Sequence, residues 1–182
     1  MAKKIFKANL SVDGLEKLKN QLLDYKRGLN GKCQLLIERL AQEGISVAQA
    51  NVGGFGKYIT FSTNITQKDN NGCRGVLLAT NTGIITSQWQ TKNGEKSADV
   101  SPLLMVEFGS GLRAENPNNI PGVGTGTFPG QTHASDPNGW WYKDLEGVWH
   151  HSYGLAPKMP MYKASIDMHM KIVKIAREVF GG

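Results

Sequence analysis

Long hydrophobic runs are missing from this sequence, and cysteine is scarce. No apolar stretch approaches the roughly 20 residues that a transmembrane helix needs, and no hydrophobic core follows the N-terminal lysines as it would in a secretory signal. The two cysteines, Cys33 and Cys73, lie far apart without metal-ligand spacing. Buried free thiols in a reducing compartment are therefore favoured over a disulfide. We expect no membrane partner and a protein that assembles in the cytoplasm.

Motifs of catalytic and metal sites are missing as well. There is no HExxH motif, and the adjacent His150 and His151 would point to opposite sides of an extended chain. The other two histidines are His133 and His169. The glycine-rich segment 53–56 lacks the Lys-Ser/Thr of a phosphate loop, and there is neither a nucleophile elbow nor a spacing that suggests paired carboxylates. The sequence therefore predicts no enzyme, no cofactor and no metal site.

Positive charge is concentrated at the N-terminus. The chain carries a net charge of +6, and residues 1–32 hold eight basic and three acidic side chains, a net +5. Such a region is either a solvated helix surface or a contact for nucleic acid or for an acidic partner. Lys3, Lys4 and Lys7 are the candidate contacts. No aromatic residues alternate with the lysines as in a single-strand-binding surface, so any DNA contact should be to phosphates and independent of sequence.

Two helices are predicted within residues 13–50. Asp13 and Glu16 have the spacing of a capping box at a helix start. An apolar face follows at steps of three and four: Leu15, Leu18, Leu22, Tyr25 and Leu29. Gly28 and Asn30-Gly31 interrupt this pattern, and a second apolar face begins near Lys32. We expect the two helices to pack as a hairpin or to form one bent helix.

A mostly antiparallel sheet of about four strands is predicted over residues 58–108. Strand-like runs at 58–63, 75–80 and 83–90 are separated by Asn-Gly turn signals. The fourth strand is the apolar run 103–108, which ends sharply at Gly109 and Gly111. Glu107 lies near its end. An acid at such a position more often pairs with a base or faces water than serves as a functional carboxylate.

A long loop is predicted from residue 109 to residue 159. It is rich in glycine, proline and asparagine, and loops of this length are generally functional or disordered. Its large aromatics require burial, either against their own subunit or against another copy. The candidate interface residues are Arg113, Trp140, Trp141, Tyr142 and Trp149. The residues from Trp141 to Trp149 could also form a small hairpin.

The last helix is predicted at about 160–180, with Pro160 in its first turn. Its apolar arc is wider than one sheet needs, which indicates either a second packing partner or deep burial in its own core. Together these elements predict a single α+β domain over 1–182: a small sheet packed by two N-terminal helices and a C-terminal helix, with a long loop insertion.

Two segments resemble a known family. The segment 106–111, Val-Glu-Phe-Gly-Ser-Gly, resembles the "valine-glutamate-x-glycine-threonine/serine" signature of the neck, or head–tail joining, proteins of long-tailed bacteriophages. These proteins are also called minor capsid or tail-completion proteins. The segment 157–164 is similar to that family's "proline-phenylalanine-leucine-x-x-alanine" entry into the last helix, with Met161-Tyr162 in place of phenylalanine-leucine. The motif residues are Glu107, Gly109, Gly111 and Pro160.

The resemblance implies a structural virion protein rather than an enzyme. It implies a homo-oligomeric ring in the phage neck or tail top, with head connector and tail proteins as partners and DNA passing through the centre. Such a protein would assemble in the host cytoplasm and end in the virion. The alternative from charge alone is a basic nucleic-acid-binding module.

Overall fold

The computed structural model describes residues 4–67, 72–91, 93–115, 136–143 and 146–181. Within them the elements are α1 (Val12–Val52), β1 (Ile59–Gln67), β2 (Cys73–Asn81), β3 (Ile85–Thr91), β4 (Gly94–Val100), α2 (Pro102–Phe108), β5 (Trp140–Lys143), β6 (Trp149–Ser152) and α3 (Pro160–Phe180). Short 3₁₀ helices occupy Gly53–Tyr58 and Gly111–Arg113. The predicted α+β class, with small antiparallel sheets and helices at both ends of the chain, is confirmed.

Contacts divide the chain into two compact units, and α1, β1, β2 and α3 each contribute residues to both. The first unit comprises Met1–Gly44, Thr63–Leu77 and Ile166–Gly182. The second comprises Ile45–Ser62 and Leu78–Ser165. The single domain expected over 1–182 stays a prediction.

The core of the first unit lies where α1 packs against α3. Its buried members are Leu40, Ile175 and Val179, and Leu36, Met168 and Phe180 pack against them. Two ion pairs flank this contact: Arg39 bonds Glu178 at 2.6 Å, and Lys171 bonds Glu43 at 2.7 Å. The two helices are therefore antiparallel here. The hydrogen bond to Glu43, followed by one to Asp167, raises the pKa of Lys171 above its ordinary value.

Two glycines, one in α1 and one in β2, allow other elements of this unit to approach α1 closely. A Cβ on Gly44 would lie 2.7 Å from the Met168 sulfur and 3.0 Å from Leu77 of β2. A Cβ on Gly75 of β2 would overlap the side chain of Ile37. Helices α1 and α3 and strand β2 can pack closely along this stretch because the residue at both contact points is glycine, which has no side chain.

The core of the second unit forms where the end of α1, the start of β1 and helix α2 meet. Val52, Ile59 and Val106 are its buried members, and Phe55, Tyr58, Phe61, Ala79 and Leu103 pack against them. Val106 has no solvent exposure at all. Helix α2 therefore packs through Val106 and Leu103 on the end of α1 and the start of β1.

The N-terminal helices predicted as a pair are one continuous helix of 41 residues. It passes through Gly28 and Gly31 without a break, so the hairpin alternative is wrong. Glycine within a helix costs only about 1 kcal/mol relative to alanine, which is too little to break a helix of this length. The helix also begins earlier than expected, since the hydroxyl of Ser11 accepts the N–H of Gly14 at 3.1 Å and serves as the cap that the spacing predicted for Asp13.

The predicted strand 103–108 is wrong, because these residues form helix α2. Pro102 occupies its first turn, and the Ser101 hydroxyl accepts the N–H of Leu104 at 3.3 Å. The Asn81 side chain at the end of β2 accepts the N–H of Leu103 at 2.9 Å and donates to Ser101. Gly109 ends the helix with a φ of 73°. A short apolar run fits strand and helix alike, and these capping groups select the helix.

The predicted single sheet is instead a set of separate two-stranded pairings in the described residues: β1 with β2, β3 with β4, and β5 with β6. The three strand runs before residue 91 are confirmed as strands. The polar segment 92–96 is typical of a loop, but Gly94–Val100 forms strand β4, which pairs with β3 from Ile85↔Val100 to Thr91↔Gly94. The small hairpin predicted around Trp141 and Trp149 is confirmed as β5 and β6.

Candidate functional site

The side chain of Glu107 caps the N-terminus of helix α3. Its Oε2 accepts the backbone N–H of Met161 and its Oε1 accepts that of Tyr162, each at 2.8 Å. These are free N–H groups of the first helical turn, which a side chain normally satisfies from the residue just before the helix. Pro160 has no N–H to satisfy. A carboxylate that belongs to α2 therefore does the work of a local cap.

The backbone next to Glu107 completes this arrangement. The carbonyl of Val106 accepts the N–H of Lys158 at 2.8 Å and that of Met159 at 3.2 Å. The first N–H of α3 that bonds to its own chain segment is that of Lys163, which donates to Met159. Met159 itself has a φ of 53°, which is rare for a residue with a side chain. The amides of Lys158, Met159, Met161 and Tyr162 thus all depend on Val106 or Glu107.

A position at a strand end suggests that Glu107 pairs with a base or faces water. In the structure it does neither. Only 8% of the residue is exposed, and both carboxylate oxygens hold amide protons. The negative charge lies at the positive end of the α3 dipole, which stabilises it. A carboxylate so occupied serves to position the helix. The sequence signal for it was the lack of Ser, Thr, Asp or Asn before Pro160.

The segment from Gly109 to Leu112 pairs with the chain that leads into α3. Ser110 donates its N–H to the Leu155 carbonyl at 2.8 Å, and its buried hydroxyl accepts the Leu155 N–H at 3.0 Å. Leu112 donates to the Tyr153 carbonyl at 3.1 Å. Backbone pairs of this kind fix the approach of two segments that lie more than forty residues apart.

The two motif glycines are required by this close pairing. Gly109 has a φ of 73°, and a Cβ there would overlap the carbonyl oxygen of Leu155. Gly111 has a φ of 62°, and its Cβ would run into the ring of Trp140. A positive φ and a crowded approach both exclude larger residues. We name segments 106–111 and 153–162, which hold each other in this way, the interlocked motifs.

The hairpin β5–β6 carries aromatic residues on both of its faces. Trp141 pairs with His151 across the strands, and their rings lie 4.9 Å apart. Trp149 pairs with Lys143 on this same face. Trp141 is 62% exposed and Trp149 is 49% exposed. We call this the outer aromatic face.

The opposite face of the hairpin is the inner one. Trp140 is half-buried there and lies against Gly111. Tyr142, on the same face, stacks on His150 at a ring distance of 5.4 Å. The four aromatics predicted to act together are thus divided: Trp141 and Trp149 point outward, and Trp140 supports the interlocked motifs. Arg113 is exposed at the end of its 3₁₀ helix.

His150 and His151 both take part in ring contacts. His151 Nε2 lies 2.7 Å from the Asn138 carbonyl oxygen, and its ring also meets that of Tyr153 edge-on at 4.8 Å. His150 and His151 contact different rings on opposite faces of the hairpin, as predicted. His169 is an exposed residue of α3, and His133 lies outside the described residues. Across the described ranges no three His, Cys, Asp or Glu side chains are grouped as metal ligands.

Two of the three candidate lysines at the N-terminus lie within the described residues. Lys3 lies outside the described residues, whereas Lys4 and Lys7 are exposed. The Lys4 ammonium lies 5.2 Å from the centroid of the Tyr25 ring and 5.6 Å from that of Phe6. The two rings also meet each other edge-on at 5.5 Å. This cation–π contact holds Lys4 against α1.

Cys33 and Cys73 are free and half-buried, which agrees with the thiols predicted from their spacing. The Cys73 sulfur lies 3.9 Å from the Asn30 carbonyl oxygen. Of the helices in the described ranges, none is long and apolar enough to cross a membrane.

The chain matches no protein-family model, no curated protein and no solved structure.

Proposed function

We propose that this protein is a structural component of a bacteriophage virion, which forms a ring in the neck or at the top of the tail and joins the head connector to the tail. The observation that carries the proposal is the contact between the interlocked motifs. The two segments that resemble the head–tail joining family are far apart in sequence, yet Glu107 of the first caps the helix that begins at Pro160 of the second. Chance matches of short motifs give no reason for such contact.

The outer aromatic face supports an assembly role. Trp141 and Trp149 are large apolar side chains exposed on one side of a small hairpin. Tryptophan and tyrosine are the residues that most often anchor protein interfaces. In a ring, each copy presents one patch to a different patch on its neighbour. We assign the outer aromatic face to one of these contacts, and the exposed Arg113 is a further candidate contact.

DNA would pass through the centre of such a ring without base-specific contacts. The described part of the chain presents exposed lysines near its N-terminus, among them Lys4 and Lys7, which suit phosphates rather than base edges. The alternative function, a basic nucleic-acid-binding module, rests on these same lysines. It requires DNA binding by the isolated chain that is strong at physiological salt.

Native mass spectrometry and electron microscopy of the purified protein test the proposal. We expect a closed oligomer of one size that appears as a ring, either alone or after mixing with phage heads or tails. A protein that stays monomeric in every mixture contradicts the proposed function. A monomer that binds short DNA duplexes tightly supports the alternative.

A further inference from the structure

The first half of α1 has an apolar seam that none of the described residues of its own unit buries. From residue 12 to residue 39 every position is exposed or half-buried, and the first buried position of the helix is Leu40. Leu15, Leu22 and Leu29 are spaced seven residues apart and occupy position a of a heptad. Leu18 and Tyr25 lie three residues after Leu15 and Leu22 and occupy position d. We name these five residues the α1 seam. A heptad pattern of this kind packs against another helix.

The partner that covers the rest of α1 stops before this seam. Within the first unit, α3 packs antiparallel on α1, and its last residue, Phe180, packs on the cluster formed with Leu36 and Leu40. The seam from Leu15 to Leu22 therefore lies beyond the helix-to-helix contact in its own unit, and only Tyr25 and Leu29 share a groove with Phe180. A surface helix that keeps its apolar face toward solvent marks an interaction site.

One end of the seam forms the wall of an open groove of about 900 Å³. Tyr25 and Leu29 line it from α1, Phe180 lines it from α3, and Lys4, Ile5 and Phe6 line it from the N-terminal segment. The polar residues Gln21, Asp24 and Lys32 share its lining with these side chains. Phe6 already packs edge-on against Tyr25 here, so the free part of the seam is the stretch from Leu15 to Leu22.

Charge decides which kind of helix fits. In the heptad that places Leu15, Leu22 and Leu29 at a, the flanking e positions are Lys19 and Lys26, both exposed. Such flanking positions set partner choice in helix pairs. The g positions Gln21 and Gly28 offer no negative charge to match these lysines in a second copy. Residues 1–32, which contain the seam, carry a net charge of +5, so two seams facing each other would repel.

We propose that the α1 seam docks an amphipathic helix of a partner protein whose flanking positions are acidic. The exposed leucines favour a helix over nucleic acid, because phosphates cannot cover apolar side chains. The lysines favour an acidic helix over a second copy of this chain. This inference does not rest on the proposed function and holds for the isolated protein.

A synthetic helix of about three heptads, with Leu at a and d and Glu at e and g, is the probe. Repulsion between its glutamates keeps it from pairing with itself. Anisotropy of the labelled peptide is measured against the full-length protein. We expect saturable binding that weakens as salt is added, since the lysines and glutamates are screened. A peptide of the same design with Lys at e and g should not bind.

Leu22→Ser and Leu23→Ser form a matched pair of variants. Both leucines are exposed, at 46% and 43%, and they are neighbours on one helix, but only Leu22 belongs to the seam. Loss of one buried leucine contact weakens binding about tenfold or more. We expect this for L22S and a change of less than about twofold for L23S. Circular dichroism verifies that both variants keep the helix.

Three results overturn the inference. The first is no binding of the acidic peptide, or equal binding of the Lys peptide. The second is an equal loss in L22S and L23S. The third is a dimer in light scattering, or binding of duplex DNA, that L22S abolishes and L23S keeps, because the seam would then be covered by a second copy or by nucleic acid. The oligomer of the proposed function is tested separately with the outer aromatic face.

Discussion

Glu107 accepts a hydrogen bond from the backbone N–H of Tyr162, 55 residues further along the chain, at 2.8 Å. Its other carboxylate oxygen holds the N–H of Met161 at the same distance. Helix α3 begins with Pro160 after a methionine, neither of which can cap it through a side chain. The start of one helix is thus built from the end of another, and the interlocked motifs are a single structural device.

Removal of this cap should destabilise the protein. Glu107→Ala leaves two part-buried amides without an acceptor, and we expect it to lower the free energy of unfolding by about 2 kcal/mol. Glu107→Gln keeps one acceptor oxygen, so its free energy of unfolding should lie between those of the wild type and of E107A. Urea denaturation measures both, with Glu115→Gln as the control because Glu115 is exposed. Wild-type stability in E107A would show that the cap is unimportant.

Aromatic replacements should separate assembly from folding. Trp141→Ala with Trp149→Ala removes the outer aromatic face, and we expect a folded protein that no longer forms oligomers. Trp140→Ala removes a half-buried ring against Gly111 and should cost stability, typically about 2 kcal/mol. Thermal melts and light scattering give both readouts. A folded double variant that still assembles refutes the interface, and an unfolded one shows that the hairpin needs the two rings to fold.

Two glycines of α1 should respond to alanine with opposite signs. A Cβ added to Gly31 would meet no atom within 4 Å, so Gly31→Ala should stabilise the helix by up to about 1 kcal/mol. Gly44→Ala gains the same propensity but crowds Met168 and Leu77, and overpacking costs about 1–3 kcal/mol. Denaturant midpoints compare the two. Equal stabilisation by both would mean that α1, α3 and β2 are less tightly packed near Gly44.

Stability should depend on Lys171 only below strongly alkaline pH. Its pKa is raised by Glu43 and then by Asp167, so the stabilisation is complete below the unfolded value of about 10.4 and is lost as pH rises through the higher folded value. Lys171→Met should therefore reduce stability at pH 8 and differ less from wild type near pH 11.5. Lys174→Met, on an exposed position of the same helix, is the control. A difference that stays constant across this range contradicts the linkage.

DNA binding, where it occurs, should be weak and independent of sequence. Two duplexes of unrelated sequence should bind with equal affinity, which falls steeply as salt rises. Lys4→Gln with Lys7→Gln should reduce the slope of log affinity against log salt by up to about 2. Anisotropy titrations at several salt concentrations provide these slopes. Tight binding of only one duplex would favour the nucleic-acid-binding module over the ring component.

Local signals predicted much of this fold. Pro160 marked the first turn of α3, and the Asn-Gly turns separated the strand runs correctly. The hairpin around Trp141 and Trp149 followed from alternation between turn residues. In each case neighbouring residues in the sequence decide the structure, so a pattern over a few positions is enough.

The errors arise where distant residues decide. The run 103–108 is a helix partly because Asn81, 22 residues earlier, holds the N–H of Leu103, which no local pattern contains. The Ser101 cap and Pro102 in the first turn are local helix-start signals that the strand prediction did not use. Glu107 was misjudged for the same reason, since its acceptor role depends on a helix that starts more than fifty residues later. Gly28 and Gly31 do not interrupt α1, because each costs only about 1 kcal/mol relative to alanine and helix propagation continues through such positions.

The shared cap also determines how the backbone opens to solvent. The amides of Lys158 and Met159 end on Val106, and those of Met161 and Tyr162 end on Glu107. None of the four can exchange its proton for deuterium through fraying of α3 alone, because the acceptors belong to α2. Their exchange therefore requires the two segments to separate together, and all four amides should exchange as one cooperative group.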